Sequence, residues 1–151
     1  MEMRTNNPER RWNNLVRKSP EREHFSMPEV LLIGRDQHAR MYTDDVLRRG
    51  GFHVRAIAPW EADRVLHDGI DSFSLVIFSN TLYPQDIADI GSRMRRHSPN
   101  IKLLLILGPD STPASASLFD ATLEGLDGPT ALIRAARQLA ESLGGATGMS
   151  A

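Results

Sequence analysis

Short, fully apolar runs alternate along the chain with stretches in which apolar residues recur every three or four positions, the signatures of buried strands and amphipathic helices. Val30-Leu31-Leu32-Ile33 reads as a buried strand running into Gly34, and Gln37 to Arg49 as a helix that Gly50-Gly51 stops. Phe52 to Ala58 alternates and is rich in β-formers. Pro59 then opens a second helix at the first-turn position that proline favours, and Asp68-Gly69 closes it. Leu75-Val76-Ile77-Phe78 is a third strand, followed by a helix from Pro84 with Ile87, Ile90 and Met94 on one face and Ser98-Pro99-Asn100 at its end. Leu103 to Leu107 is the most hydrophobic stretch and predicts a central strand covered on both sides. The turn-rich segment Gly108 to Ser117 replaces a fourth helix or leaves only a short one. Phe119 to Leu123 reads as a weak edge strand. A last helix after Asp127 sets Leu132, Ala136, Leu139 and Leu143 in one stripe, and Gly144-Gly145 predicts its end.

Strands joined by helix-length crossovers pair in parallel with right-handed connections, so the predicted fold is α/β, a three-layer (βα)5 arrangement with a central five-stranded parallel sheet. In such sheets binding and signalling chemistry lies beyond the carboxyl ends of the strands. That directs attention to Gly34 to His38, Ser79 to Pro84, Leu107 to Asp110, and Glu124 to Asp127. The flanks differ in character. Residues 1–27 carry six basic and four acidic side chains among scattered Asn and Pro, which predicts a flexible polar arm whose Trp12, Leu15 and Val16 could form one docking turn. Residues 28–143 form the predicted domain and 144–151 a flexible tail.

Composition narrows the function classes. The 151 residues are 40% hydrophobic and 25% charged, as in ordinary globular chains, and 18 Lys+Arg against 19 Asp+Glu leave a net charge of −1. No general field draws the chain to nucleic acid or to an anionic membrane. Without cysteine there is no disulfide framework, thiolate metal site or thiol nucleophile. The longest strictly aliphatic run, Leu103 to Leu107, is far short of the roughly 20 residues that span a bilayer, and the amino terminus lacks a signal-peptide core. A cytoplasmic location is expected.

The order and spacing of the elements, together with Leu-Arg-Arg-Gly-Gly-Phe-His-Val (47–54), Trp60-Glu61-Ala62, Leu75-Val76-Ile77-Phe78 and Met94-Arg95-Arg96-His97-Ser98-Pro99-Asn100-Ile101, resemble a response-regulator receiver domain of the CheY-like kind over about residues 28–143. The resemblance implies a flavodoxin-like (βα)5 fold with a phosphorylation pocket at the strand ends. Acyl-phosphate chemistry there needs a carboxylate nucleophile, a divalent cation and donors for the transferring oxygens. The family's acidic pair after the first strand reads Arg35-Asp36 here, a cation in place of one acid. The acceptor position falls on Asn80, counting back from Pro84, or on Ser79, aligning the apolar run; neither is a carboxylate. Leu107 replaces the hydroxyl that ends the fourth strand. Lys18 and Lys102 are the only lysines, so the fifth-strand lysine is missing and Glu124 or Gly125 stands in its place.

The implied protein is a degenerate, phosphorylation-independent receiver acting in signal transduction of the two-component or phosphorelay type through protein contacts. It is expected to have no enzymatic activity, no cofactor and no metal site. Its expected partner is a signalling protein or kinase, with neither nucleic acid nor membrane, and homodimerisation is left open. A charge-assisted contact between Arg35 and Asp36 is expected to fill the vacated ion position.

Other patterns are fainter. Asp36-Gln37-His38, with Ser79-Asn80-Thr81-Leu82, resembles the Asp-x-His opening and serine loop of cobalamin-binding domains, which supplies the alternative of a small-ligand-binding Rossmann-like module using Asp36 and His38. The glycines that would admit a nucleotide tail are Met41 and Pro109 instead. No phosphate loop, Gly-x-Ser-x-Gly elbow or paired-histidine spacing is present. Arg93, Arg95 and Arg96 are expected on a solvated face of the third helix, and the +2 arm is too weakly charged to hold nucleic acid by counterion release.

Overall fold

The computed structural model describes residues 27–108 and 117–150. The arm around Trp12, and residues 109–116 of the predicted turn-rich segment, lie outside the described residues. Five strands, β1 (Glu29–Ile33), β2 (His53–Ile57), β3 (Leu75–Phe78), β4 (Lys102–Leu107) and β5 (Ala121–Glu124), form one parallel sheet in the order β2-β1-β3-β4-β5. Four α-helices accompany them among the described residues: α1 (Gln37–Arg49), α2 (Ala62–Asp68), α3 (Pro84–His97) and α4 (Gly128–Ser150).

Strand side chains alternate between the two faces of the sheet. Leu31, Ile33, Val76, Phe78, Leu103 and Leu105 enter one core with Val65 and Leu66 of α2 and Ile90 and Met94 of α3. Val30, Leu32, Leu75, Ile77, Leu104 and Ile106 enter the other with Val46 and Leu47 of α1 and Leu132 and Ala136 of α4. β1 beyond Glu29 and all of β3 are fully buried, which explains their unbroken apolar runs.

Local chemistry sets the boundaries. Pro59 opens a 3₁₀ turn, Pro59–Glu61, and the α-helical hydrogen bonds begin only at Ala62. The fifth strand starts at Ala121, not at Phe119, because the Asp120 carboxylate accepts the backbone N–H of Leu103 at 2.8 Å and two guanidinium-linked contacts fix the chain just before it. α4 also runs through Gly144-Gly145 to Ser150, against the predicted stop. Glycine costs about 1 kcal/mol per residue in a helix but is not sterically barred from it, and no proline follows.

The arginines of α3 correct a second expectation. Arg95 is no solvated charge: its guanidinium donates to the carbonyls of Leu118, Pro99 and Ile101 and to Asp120 Oδ2, fastening the end of α3 to the approach to β5. Arg93 bridges Asp63 of α2 and Asp89 of α3. Only Arg96 of the trio is an exposed side chain.

Candidate functional site

Strand order reverses between β1 and β3, where the chain leaves neighbouring strands toward helices on opposite faces. Parallel pairing aligns Ile33 with Phe78, and the ladder continues one step further as Ser79 N–H donates to the Ile33 carbonyl at 2.8 Å. Gly34 and Ser79 therefore meet side by side. A Cβ on Gly34 would lie 3.0 Å from the Ser79 Cβ, so this close approach needs glycine.

Hydroxyls close the crevice. Thr81 Oγ1 accepts the backbone N–H groups of Arg35 and Asp36 at 2.9 and 3.2 Å, and lies 3.2 Å from the Ser79 hydroxyl. Ser79 is only 2% exposed and also accepts the N–H of Thr81 at 3.2 Å. Two amides that could otherwise have faced an anion at the head of α1 are thus held by a side chain of the neighbouring loop.

Asp36 is the N-cap of α1, its carboxylate accepting the N–H of Ala39 at 2.8 Å. The expected Arg35–Asp36 contact is absent. Arg35 instead donates through Nε and Nη2 to Asp86 Oδ2, at 3.3 and 2.8 Å, while the same oxygen accepts the N–H of Tyr83 at the start of α3. The guanidinium carbon sits 4.1 Å from the Tyr83 ring centroid and 5.7 Å from that of Trp60. The physical reason is reach and competition: Asp36 is engaged by the helix terminus, whereas Asp86 offers a carboxylate with two aromatic faces beside it.

The remaining predicted positions gather at the same end of the sheet. Asn80 is exposed, and its Oδ1 lies 3.4 Å from the Ser79 hydroxyl. A Cβ on Gly125 would lie 3.1 Å from Asn80 Nδ2 and from the Leu107 carbonyl, so the missing side chain there lets the amide reach across to the end of β5. Leu107 pairs in register with Glu124 and packs partly buried against the α2/α3 core. His38, of the cobalamin-like alternative, is an exposed residue in the first turn of α1.

Of the carboxylates at this end, Asp36 caps a helix, Asp86 is paired with Arg35 and Glu124 ends β5, and no group of three or more His, Asp or Glu side chains converges among the described residues. Nothing in the spacing of the chain marks the link from Thr81 or Asp86 to the loop after β1, because those partners lie 45 or more positions away. The nearest sequence signal for Asp86 is its place in the first turn after Pro84. Among the described residues no helix is long and apolar enough to cross a membrane.

No protein-family model matches the chain, and no curated protein matches it. Solved structures do. A response-regulator receiver domain from Clostridium thermocellum matches at a TM-score of 0.68 and 15% identity, covering 77% of this chain and 96% of that one. A receiver protein from Sinorhizobium medicae matches at 0.66 and 23%, over 78% and 97%. The response regulator TrrA of Thermotoga maritima, whose structure is a complex with magnesium and beryllofluoride, matches at 0.65 and 16%, over 75% and 99%. With the strand order 2-1-3-4-5 and the flanking helices, these likenesses give the chain the CheY-like, flavodoxin-type receiver fold.

Proposed function

We propose that this chain is a phosphorylation-independent, receiver-like signalling protein that works through protein contacts and catalyses no reaction, with residues 28–143 as its receiver-like unit. The observation carrying this reading is the pairing of Arg35 with Asp86 beside Ser79 and Asn80. Where a receiver assembles a carboxylate nucleophile and a metal, this strand end offers a hydroxyl, an amide and an already neutralised cation. A serine or asparagine in this setting supplies no carboxylate to form an acyl phosphate, and Leu107 supplies no side-chain donor for its oxygens.

A protein-contact role is supported by the side chains around Arg35. Trp60 is 69% exposed and Tyr83 51%, and with the guanidinium near both rings they form a patch of the three residue types most enriched at binding hot spots. Arg35 is held in place by its ion pair, so a partner meets a preorganised surface.

The test is incubation of the wild-type chain and of Asn80→Asp with acetyl phosphate and magnesium, followed by intact-mass measurement with and without hydroxylamine. Neither protein should gain a hydroxylamine-labile phosphate. Restoring one carboxylate leaves Arg35, Leu107 and the missing lysine unchanged. Labile phosphate on the wild type would overturn the proposal, and labile phosphate on Asn80→Asp alone would show that a single substitution separates this pocket from a working one.

A further inference from the structure

Beside Asn80, on the α1/α4 face of the sheet, lies a cleft of about 210 Å³ bounded by α1, the ends of β4 and β5 and the first turn of α4. Its walls are apolar: Val46, Ile106, Leu123 and Leu132. Val46, Ile106 and Leu132 retain 7–8% exposure, whereas Val30, Leu32, Leu75, Ile77 and Leu104 in the same core are fully buried. The lining mixes the small side chains Ala39 and Thr43 of α1 with Gly125, Gly128 and Pro129 of the turn into α4, beside the larger Tyr42 and Val46 of α1.

Polar groups at this cleft are few. Asn80 Nδ2 lies 3.1 Å from where a Cβ on Gly125 would stand, which places an exposed amide donor at the edge of the cleft. Tyr42 stands at the cleft and is 60% exposed. Glu124 is the one charged residue among the described lining residues, and no lysine, arginine or histidine joins it. Among the described lining residues an anion would meet a carboxylate and no counter-charge. The volume is below the roughly 300–1,000 Å³ of drug-sized sites, which limits an occupant to one or two rings.

We propose that this cleft binds a neutral, one- or two-ring aromatic molecule carrying a carbonyl-type acceptor, the ring against Val46, Ile106 and Leu132 and the acceptor on the Asn80 amide. The site does not rest on the phosphorylation-independent reading, since a chain that did take phosphate at the end of β3 would still possess it.

Benzamide and benzoate have nearly the same shape and differ in charge, so they serve as probes. Titrated into the full chain and followed by backbone-amide NMR, benzamide should shift Ala39 to Val46 and Leu123 to Leu132 saturably. Benzoate should bind at least about threefold more weakly. Asn80→Ala, at an exposed position, should weaken benzamide by about two- to tenfold, the worth of one hydrogen bond. Ala39→Leu should fill the cleft and abolish the shifts. The proposal is overturned if neither probe gives saturable shifts in these segments, if benzoate binds more tightly, or if Asn80→Ala leaves benzamide affinity unchanged.

Discussion

At the reversal of strand order the two loops are joined by one hydroxyl, Thr81 Oγ1, which accepts the N–H groups of Arg35 and Asp36. Threonine to valine keeps the shape and removes the acceptor, leaving the Arg35 amide unpaired in a partly buried setting and the Asp36 amide to water. Thr81→Val should therefore lower unfolding free energy by about 1–3 kcal/mol in urea titration, and Thr81→Ser should recover most of it. Arg35 is a different case, since its guanidinium is about one-third exposed and solvent screens its pair with Asp86. Arg35→Ala should cost only about 1 kcal/mol while altering the fluorescence of Trp60, whose ring it faces. An unchanged emission spectrum would mean that the stack does not persist in solution.

Elements are held in place by two arginines with distinct roles. Arg95 satisfies three backbone carbonyls as well as Asp120, so Arg95→Ala removes several charge-assisted bonds at once. It should destabilise by about 2 kcal/mol, with hydrogen exchange rising first at Ala121 to Glu124. Arg93 clasps α2 to α3, and its hydrogen bond to Asp63 raises its pKa above the ordinary arginine value, against the opposing effect of partial burial. A base whose pKa is raised by folding contributes stability fully below its unfolded pKa and loses it only as pH climbs through the folded one. The Arg93 contribution should accordingly stay flat from neutral pH to about pH 10, so that the difference in melting temperature between wild type and Arg93→Met is the same at both ends. Strand and helix identities were legible because short unbroken apolar runs such as Leu75–Phe78, bounded by turn signals, read as doubly covered strands and because proline and glycine mark most turns. The late start of β5 and the structural use of Arg95 were not, since both depend on Asp120 meeting residues that lie far away in the chain.

For the molecule as a whole, the two cores on either side of the sheet carry the stability. Leu104→Ala, at the centre of the α1/α4 side, should cost about 2–5 kcal/mol and unfold both layers together. The site's composition was legible residue by residue, in that Arg35, Ser79, Asn80, Leu107 and Glu124 all gather at the carboxyl end of the sheet. Its wiring was not legible: whether Arg35 turns to Asp36 or to Asp86 is decided by the N-cap of α1 and by two aromatic rings from other loops. The resulting surface sets the Arg35 guanidinium against the exposed rings of Trp60 and Tyr83 at the carboxyl end of the sheet. The measurement that bears most directly on this reading is a backbone-amide NMR titration of the full chain with magnesium and beryllofluoride, the acyl-phosphate mimic. The amides of Gly34 to Asp36 and Ser79 to Thr81 should not move. Saturable shifts at those residues would mean that the strand ends still bind metal and phosphoryl group, contradicting a phosphorylation-independent protein.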